Sequence, residues 1–460
     1  MNITMIGAGY VGLTTGACLA ELGHRVICVD QDERRVAMLK RGEIPIYEPG
    51  LEELVAGHGA SGALSFSADS EAAVRNADAV FLAVGTPSRR DGDVDLSFVE
   101  AAARQIAVAL PPNCVVVVKS TVPVGTCRFL REVIAEARAA LDFSVASNPE
   151  FLREGSAVGD FLKPDRVVIG SDDARARALL EKIYAPFKAR EVPILCTTNS
   201  NAELIKYSAN AFLALKIGFI NDVANLCEQA GGDVGTVALG IGLDKRIGSS
   251  FLAAGPGFGG SCFPKDTRTF AATGRRFGTP QSLVETLIES NEARRRRLAE
   301  RILAALGPRA RGARVAVLGL AFKADTDDIR EAASLTIIPL LQEAGCTIRA
   351  SDPKANDAAA GILKDVQFFA DPLEAAKGAD LVVVLTEWEA FRRLDLGRLA
   401  QAMRGDTLAD FRNLWRPQTV AQHGLRYLSV GRPAPADTAK SRKVGGKAAT
   451  ERAAAVRSPV

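Results

Sequence analysis

Residues 255–266 read GPGFGGSCFPKD, a stretch in which one thiol, Cys262, sits among four glycines and is followed by Lys265 and Asp266. A lone cysteine is ordinarily a small buried hydrophobe. Here the glycines leave the sulfur uncrowded and let the backbone pass close to a ligand, and a cation such as Lys265 favours the thiolate, the nucleophilic form. A second pair lies upstream: Lys206 and Asn210 are four apart, so on a helix they share a face. A helical lysine usually extends to solvent; beside a reactive thiol this pair could instead steady an alkoxide or oxyanion.

Such chemistry needs a hydride acceptor, and the start of the chain offers a place for one. GAGYVG at residues 7–12 follows a strand-like run, NITMI at 2–6, opens a helix, and is succeeded by a strand that ends at Asp30. Gly7 permits the tight turn and Gly9 lets the backbone approach a pyrophosphate at the helix N-terminus. Asp30 is placed to accept from ribose hydroxyls and to repel a 2′-phosphate, which favours NAD over NADP; Arg34 and Arg35 soften that preference or face solvent. A nicotinamide next to a cysteine takes an alcohol to an acid. One hydride leaves to give an aldehyde, the thiolate captures it as a thiohemiacetal, and a second hydride leaves a thioester that water cleaves.

The elements that must position these groups alternate. Apolar runs at 26–29, 79–84, 115–118, 143–146 and 167–169 recur with helical stretches between them, the rhythm of a doubly wound parallel sheet. Three rim sequences follow such runs: Thr86-Pro87, Ser120-Thr121 and Asn148-Pro149-Glu150. Ligands of these sheets bind outside the carboxyl ends of the strands. From about Ser200 to Gln229, Ile205, Ala209, Phe212, Phe219, Val223 and Leu226 recur at helical spacing, and Ser200-x-x-Glu203 offers a capping box. A second α/β rhythm starts at Arg314 and runs through 347–351 and 381–385, with one glycine in VAVLGLAFK where the fingerprint has three. Lys323 and Arg330 there are either surface cations or contacts to a phosphate-bearing ligand.

The expected fold is therefore α/β, two Rossmann-like doubly wound domains joined by a long central helix. The expected divisions are 1–199 (cofactor), 200–300 (helical dimerisation segment), 301–432 (second Rossmann-like domain) and 433–460, a disordered basic tail. That tail holds six Lys or Arg against two acidic residues and leaves the body near neutral at −1, which argues against nucleic-acid binding. The run Arg294–Arg297 reads as a solvated helix face. Eight scattered cysteines form no zinc spacing or disulfide framework. The first 20 residues carry no charge, but they lack a basic leading region and glycines interrupt them, so a cytoplasmic protein without membrane contact is expected.

Six stretches, in order, resemble the UDP-glucose 6-dehydrogenase family: GAGYVG, VGTP at 84–87, STVPVGT at 120–126, NPEFLREG at 148–155, NAELIKY at 201–207 with Asn210, and GFGGSCFPKD at 257–266. The resemblance covers roughly residues 1–430. It implies NAD-dependent oxidation of UDP-glucose to UDP-glucuronate through a cysteine thioester, in a homodimer built on the long helix. Cys262 matches the nucleophile, Lys206 and Asn210 the oxygen-charge stabilisers, and Asp266 and Glu150 the carboxylates that work on water or protons. Gly7, Gly9, Tyr10, Val11, Gly12, Asp30, Arg35, Thr86, Thr121, Glu154, Lys265 and Arg330 match cofactor positions. Glu150, Phe151, Leu152, Arg153 and Glu154, the loop Phe251, Leu252, Ala253, Ala254 and Gly255, and Gly259 and Lys323 match substrate positions, alongside Lys206 and Asn210; Arg246 matches an arginine that reaches a neighbouring subunit's sugar. Many relatives carry a polar residue at Ala253. The alternatives are the same chemistry on GDP-mannose or a UDP-N-acetylhexosamine, a two-electron dehydrogenase of β-hydroxyacid type, or an NAD-binding sensor without turnover.

Overall fold

The computed structural model of the protein describes residues 1–89 and 91–433; the expected disordered tail lies, from residue 434 onward, outside the described residues. The first sheet has eight strands in the spatial order Leu64–Ser67, Arg25–Val29, Asn2–Ile6, Ala79–Leu82, Val115–Val118, Ser144–Ser147, Val167–Gly170 and Ile194–Thr197. Its pairs are parallel except for the single bridge Ser147 to Gly170. Runs such as Val115–Val118 are buried on both faces, as a sheet covered by helices on each side requires. The second sheet repeats the six-strand order with Val366–Phe368, Thr347–Ser351, Arg314–Leu318, Leu381–Val384, Thr407–Asp410 and Arg426–Ser429. In both, the chain reverses direction of travel beside the first strand, which opens a crevice at the carboxyl ends. Two Rossmann-like sheets and a long helix between them are the architecture expected from the sequence.

That helix, Asn199–Ala230, spans 32 residues and stops at Gly231, whose φ of +79° supplies the left-handed C-terminal turn. Its start differs from the expected capping box. Thr198 is the cap and accepts the Asn201 N–H, while Glu203 is buried and accepts the N–H groups of Gly125 and Cys127 at 2.7 and 2.9 Å. A carboxylate there complements the free N–H groups that open helix Thr126–Ala137. Ala202 lies so close to Gly170 that a Cβ on the glycine would approach it to 2.5 Å, whereas Ile220, Ala224 and Cys227 join the core of the second sheet. One helix thus belongs to both cores and sets the two crevices against each other.

The arginine run also departs from its expected solvated face. On helix Ser282–Leu306, Arg294 and Arg295 are buried. Arg294 donates to the carbonyls of Gly255 and Asn221, and Arg295 to those of Phe258 and Glu331. Both guanidiniums hold the glycine-rich segment in place by its backbone. No described helix is long and apolar enough to cross a membrane.

Candidate active site between the two sheets

A cavity of about 810 Å³ opens between the sheets and the long helix. From the first sheet it takes the loop after Ser144–Ser147, including Glu150, Phe151, Leu152, Arg153 and Glu154; from the helix, Lys206 and Asn210; from the glycine-rich segment, Phe251, Ala253, Gly255, Gly259 and Cys262; and from the second unit, Lys323. Residues as far apart in the chain as Glu150 and Lys323 therefore converge. Leu252 is buried beside the cavity without lining it, and Ala254 is half-buried. Arg246 is elsewhere, with an exposed side chain held by Asp244.

The charged floor is buried. Lys206, 3% exposed, lies 2.9 Å from Glu150, 6% exposed. The helical lysine does not extend to solvent, because a carboxylate waits at the sheet edge. Burial pushes the Glu150 carboxyl up, but the Lys206 charge and hydrogen bond and the Leu152 N–H at 2.6 Å outweigh it and leave it below the ordinary range. Burial likewise pulls Lys206 down, and facing Glu150, Asp266 and Cys262 reverse this, so the ammonium keeps its proton. Asn210 Nδ2 donates to Asp266 Oδ2 at 2.6 Å, and Lys265 holds the other Asp266 oxygen. Asp266 is almost fully enclosed and acts on the cavity through Asn210.

Cys262 directly precedes helix Phe263–Arg276. Its thiol departs from the sequence expectation in its cation and in its resting protonation. Lys265 pairs with Asp266, so the cation that favours the thiolate is Lys206. Burial and then the Glu150 charge outweigh Lys206 and push the thiol up to about 11. The glycines also meet protein on their other side. A Cβ at Gly259 would lie 2.3 Å from the Glu331 carbonyl oxygen, and one at Gly260, φ +81°, 2.7 Å from the Phe322 ring. These residues let the segment pass against the second unit on one side while it lines the cavity on the other.

The crevice of the first sheet fits a dinucleotide. Gly7 has φ +99° and a Cβ there would meet the Ala83 carbonyl at 2.7 Å; Gly12 is closed off by Gly7 itself. Gly9 has nothing within 4 Å of a built Cβ, so the turn before helix Tyr10–Glu21 is open on its outer side. Asp30 directly follows its strand, accepts the Ala8 N–H at 2.9 Å, and is paired with Arg35 at 2.9 Å, whose side chain stays partly exposed. Thr86 and Thr121 sit half-buried on the adjoining strand ends, where Ser120 ties the two rims by donating to the Val84 carbonyl. Arg330 bonds Asp328 and Glu154. The second sheet has a matching turn, Gly319 at φ +99°, but its acidic residue, Asp352, accepts the N–H groups of Leu320 and Ala321 and the indole N–H of Trp388. That turn is occupied by protein.

Several residues escaped the sequence reading. Lys119 is buried, donates to Asn148 at 3.0 Å, and is pulled down to about 8 by burial. Its only signal is a lysine at the end of an all-valine strand. Glu48 accepts from Tyr10, from Gly155 N–H and from Ala157 N–H, so one carboxylate fastens the cofactor turn to the loop that carries Glu154. Arg166 stacks 3.7 Å over the Phe151 ring, and Arg412 lines the cavity beside Lys323.

The chain matches three family models in sequence order: UDP-glucose/GDP-mannose dehydrogenase family, NAD binding domain, over residues 1–188; the central domain over 200–293; and the UDP binding domain over 316–417. It is 52% identical over 436 residues to a UDP-glucose 6-dehydrogenase of Rhizobium meliloti (strain 1021), covering 94% of this chain and 100% of that one. A solved UDP-glucose dehydrogenase from the hyperthermophilic archaeon Pyrobaculum islandicum aligns with TM-score 0.87 at 41% identity, covering 94% of this chain and 98% of that one. A UDP-D-ManNAc dehydrogenase from Pyrococcus horikoshii aligns with TM-score 0.84 at 26% identity, covering 94% and 99%. With the open glycine turn, the buried Lys206–Glu150 pair and Cys262 arranged around one cleft, and all three models matched along its length, this chain belongs to the UDP-glucose/GDP-mannose dehydrogenase family.

Proposed function

We propose that the protein oxidises UDP-glucose to UDP-glucuronate in four electrons, with Cys262 as the nucleophile. The observation that carries this reading is one cavity holding Cys262 together with Lys206, Asn210 and Glu150, in a chain 52% identical to a UDP-glucose 6-dehydrogenase. Gly7, Gly9, Tyr10, Val11 and Gly12, with Asp30 and Arg35, would hold NAD, and Thr86, Thr121, Glu154, Lys265 and Arg330 complete its pocket. When bound, NAD accepts one hydride in each of the two oxidation steps. The chain supplies the rest. The Cys262 sulfur adds to the C6 aldehyde, which makes a thiohemiacetal; its oxygen faces the Lys206 ammonium and the Asn210 amide. After the second oxidation the thioester carbon takes up water, which Glu150 and, through Asn210, Asp266 would help to place; the hydroxyl stays on the carbon as the acid and the remaining proton goes to the released Cys262 sulfur.

Glu150 to Glu154, Phe251 to Gly255, Gly259 and Lys323 would line the nucleotide sugar. Counting NADH per sugar across UDP-glucose, GDP-mannose and UDP-N-acetylhexosamines, with product mass, tests the proposal. Two NADH and the acid from UDP-glucose support it. One NADH indicates the two-electron dehydrogenase, turnover only with another sugar reassigns the substrate, and no NADH with any sugar indicates a non-catalytic nucleotide binder.

We further propose a homodimer on the long helix. Phe212, Phe219 and Leu226 recur every seven residues on its outer face and are 63%, 58% and 66% exposed. An apolar stripe of that regularity is costly in water and is stabilised when a second copy covers it. Arg246 belongs with this surface, since it lies outside its own chain's cavity and would enter a partner's. Phe219→Glu should convert the dimer to monomer in sedimentation velocity; an unchanged sedimentation coefficient would remove the helix from the interface. The same reading divides the chain at 1–199, 200–300 and 301–432 and places it in the cytoplasm, where NAD and nucleotide sugars are supplied.

A further inference from the structure

We propose that Ser261 is a proton relay that carries the Cys262 thiol proton to Glu154. The Ser261 Oγ lies 2.8 Å from Glu154 Oε1 and 3.4 Å from Cys262 Sγ. A hydroxyl has one hydrogen. While Glu154 is ionised, Ser261 donates that hydrogen to the carboxylate and can only accept from the S–H. Once Glu154 is protonated, the carboxyl donates to Oγ, and Oγ donates to the sulfur anion. The two patterns differ by one transfer at each end: the S–H bond breaks, Oγ takes that proton and gives its own to Oε1, and no electrons change hands.

The neighbours leave no rival acceptor. Glu150 is bonded by Lys206 and the Leu152 N–H and is held below its usual range. Asp266 has both oxygens occupied, by Asn210 and Lys265. Lys206 keeps its proton, and Arg330, which also faces the sulfur, cannot accept one. Glu154 is different. Burial and the facing Asp328 push it up to about 7, against the Ser261 hydroxyl and Arg330; Lys323 and Tyr10 complete the groups around it. Its Oε2 is buried without a hydrogen-bond partner among the described residues. Sγ in turn has no hydrogen-bond partner other than Ser261 among them. The thiol, at about 11, holds the proton in the resting chain; positive charge brought to the sulfur narrows that gap and sets the relay running.

This rests on Cys262 being the nucleophile, yet its test needs no turnover. Iodoacetamide modification of Cys262, followed by peptide mass spectrometry from pH 6 to 10 on the purified full chain, reads the thiolate directly. The parent should show an inflection near pH 7 from Glu154. Ser261→Ala should lose the inflection and react about tenfold more slowly at pH 7.5, the effect of about one pKa unit on the thiol, and Ser261→Thr should restore both. Glu154→Gln should also lose the inflection, which keeps the test intact if Ser261→Ala fails to fold. An inflection that survives in the folded Ser261→Ala or Glu154→Gln protein overturns the relay, whatever the NADH assay shows.

Discussion

Cys262→Ala is expected to lower the rate of acid formation from UDP-glucose by at least about 10³-fold, about 4 kcal/mol of transition-state stabilisation. The side chain removed is small and half-buried, and the residues that fix its backbone remain: Arg294 and Arg295 hold the carbonyls at 255 and 258, and the Phe322 ring seats Gly260. The variant should therefore fold and bind ligand with KM nearly unchanged, so the loss appears in kcat. A second expectation is sharper. Without the sulfur, the first oxidation can still deliver an aldehyde to the Lys206 and Asn210 donors, but nothing captures it, so single-turnover NADH should fall from two per sugar to one at most. Quenched-flow counting with mass analysis of the product checks this. Two NADH and unimpaired acid would show that water attacks the aldehyde directly, with Cys262 a bystander.

How much of this site was legible in the chain depends on how local each cause is. Gly7, Gly9 and Asp30 were readable because a turn, a helix start and one strand end lie within two dozen residues, and their φ angles and contacts answer to that sequence alone. The long helix was readable from its period. Its cap was not, because Glu203 answers to Gly125 and Cys127, almost 80 residues earlier. Arg294 and Arg295 resembled a wet helix face because a charge run carries no sign of the carbonyls it will meet. The thiol's environment failed for the same reason: Lys265 is adjacent in sequence but bonded to Asp266, and the cation that counts, Lys206, is 56 positions away. The glycines around Cys262 do allow a close approach, and the protein's own share of it, Phe322 and Glu331 against Gly259 and Gly260, carried no signal in the local sequence.

Lys206→Met is expected to damage the protein twice, and the two effects can be separated. Removing the ammonium leaves Glu150 buried without its counter-charge, which costs about 3–5 kcal/mol when one partner of an enclosed pair is deleted. The sign follows from the carboxyl. In the parent, Lys206 and the Leu152 N–H hold Glu150 below its ordinary range, so this contribution is fully present above the unfolded value of about 4.3 and is lost as pH falls through the lower folded value. In the variant, burial acts unopposed by Lys206 and raises the carboxyl, so the folded state is weakest at neutral pH. The stability gap between parent and variant should thus be widest near pH 7 and close below about pH 4, measurable by thermal unfolding across that range. Adding Glu150→Gln should recover most of the stability, because an amide needs no counter-charge. It should not recover activity, since the oxygen of the thiohemiacetal would still lack its cation. A double variant that regains both would confine Lys206 to holding Glu150 in place, and one that regains neither would show that the pair is not what the helix and the sheet edge contribute to each other.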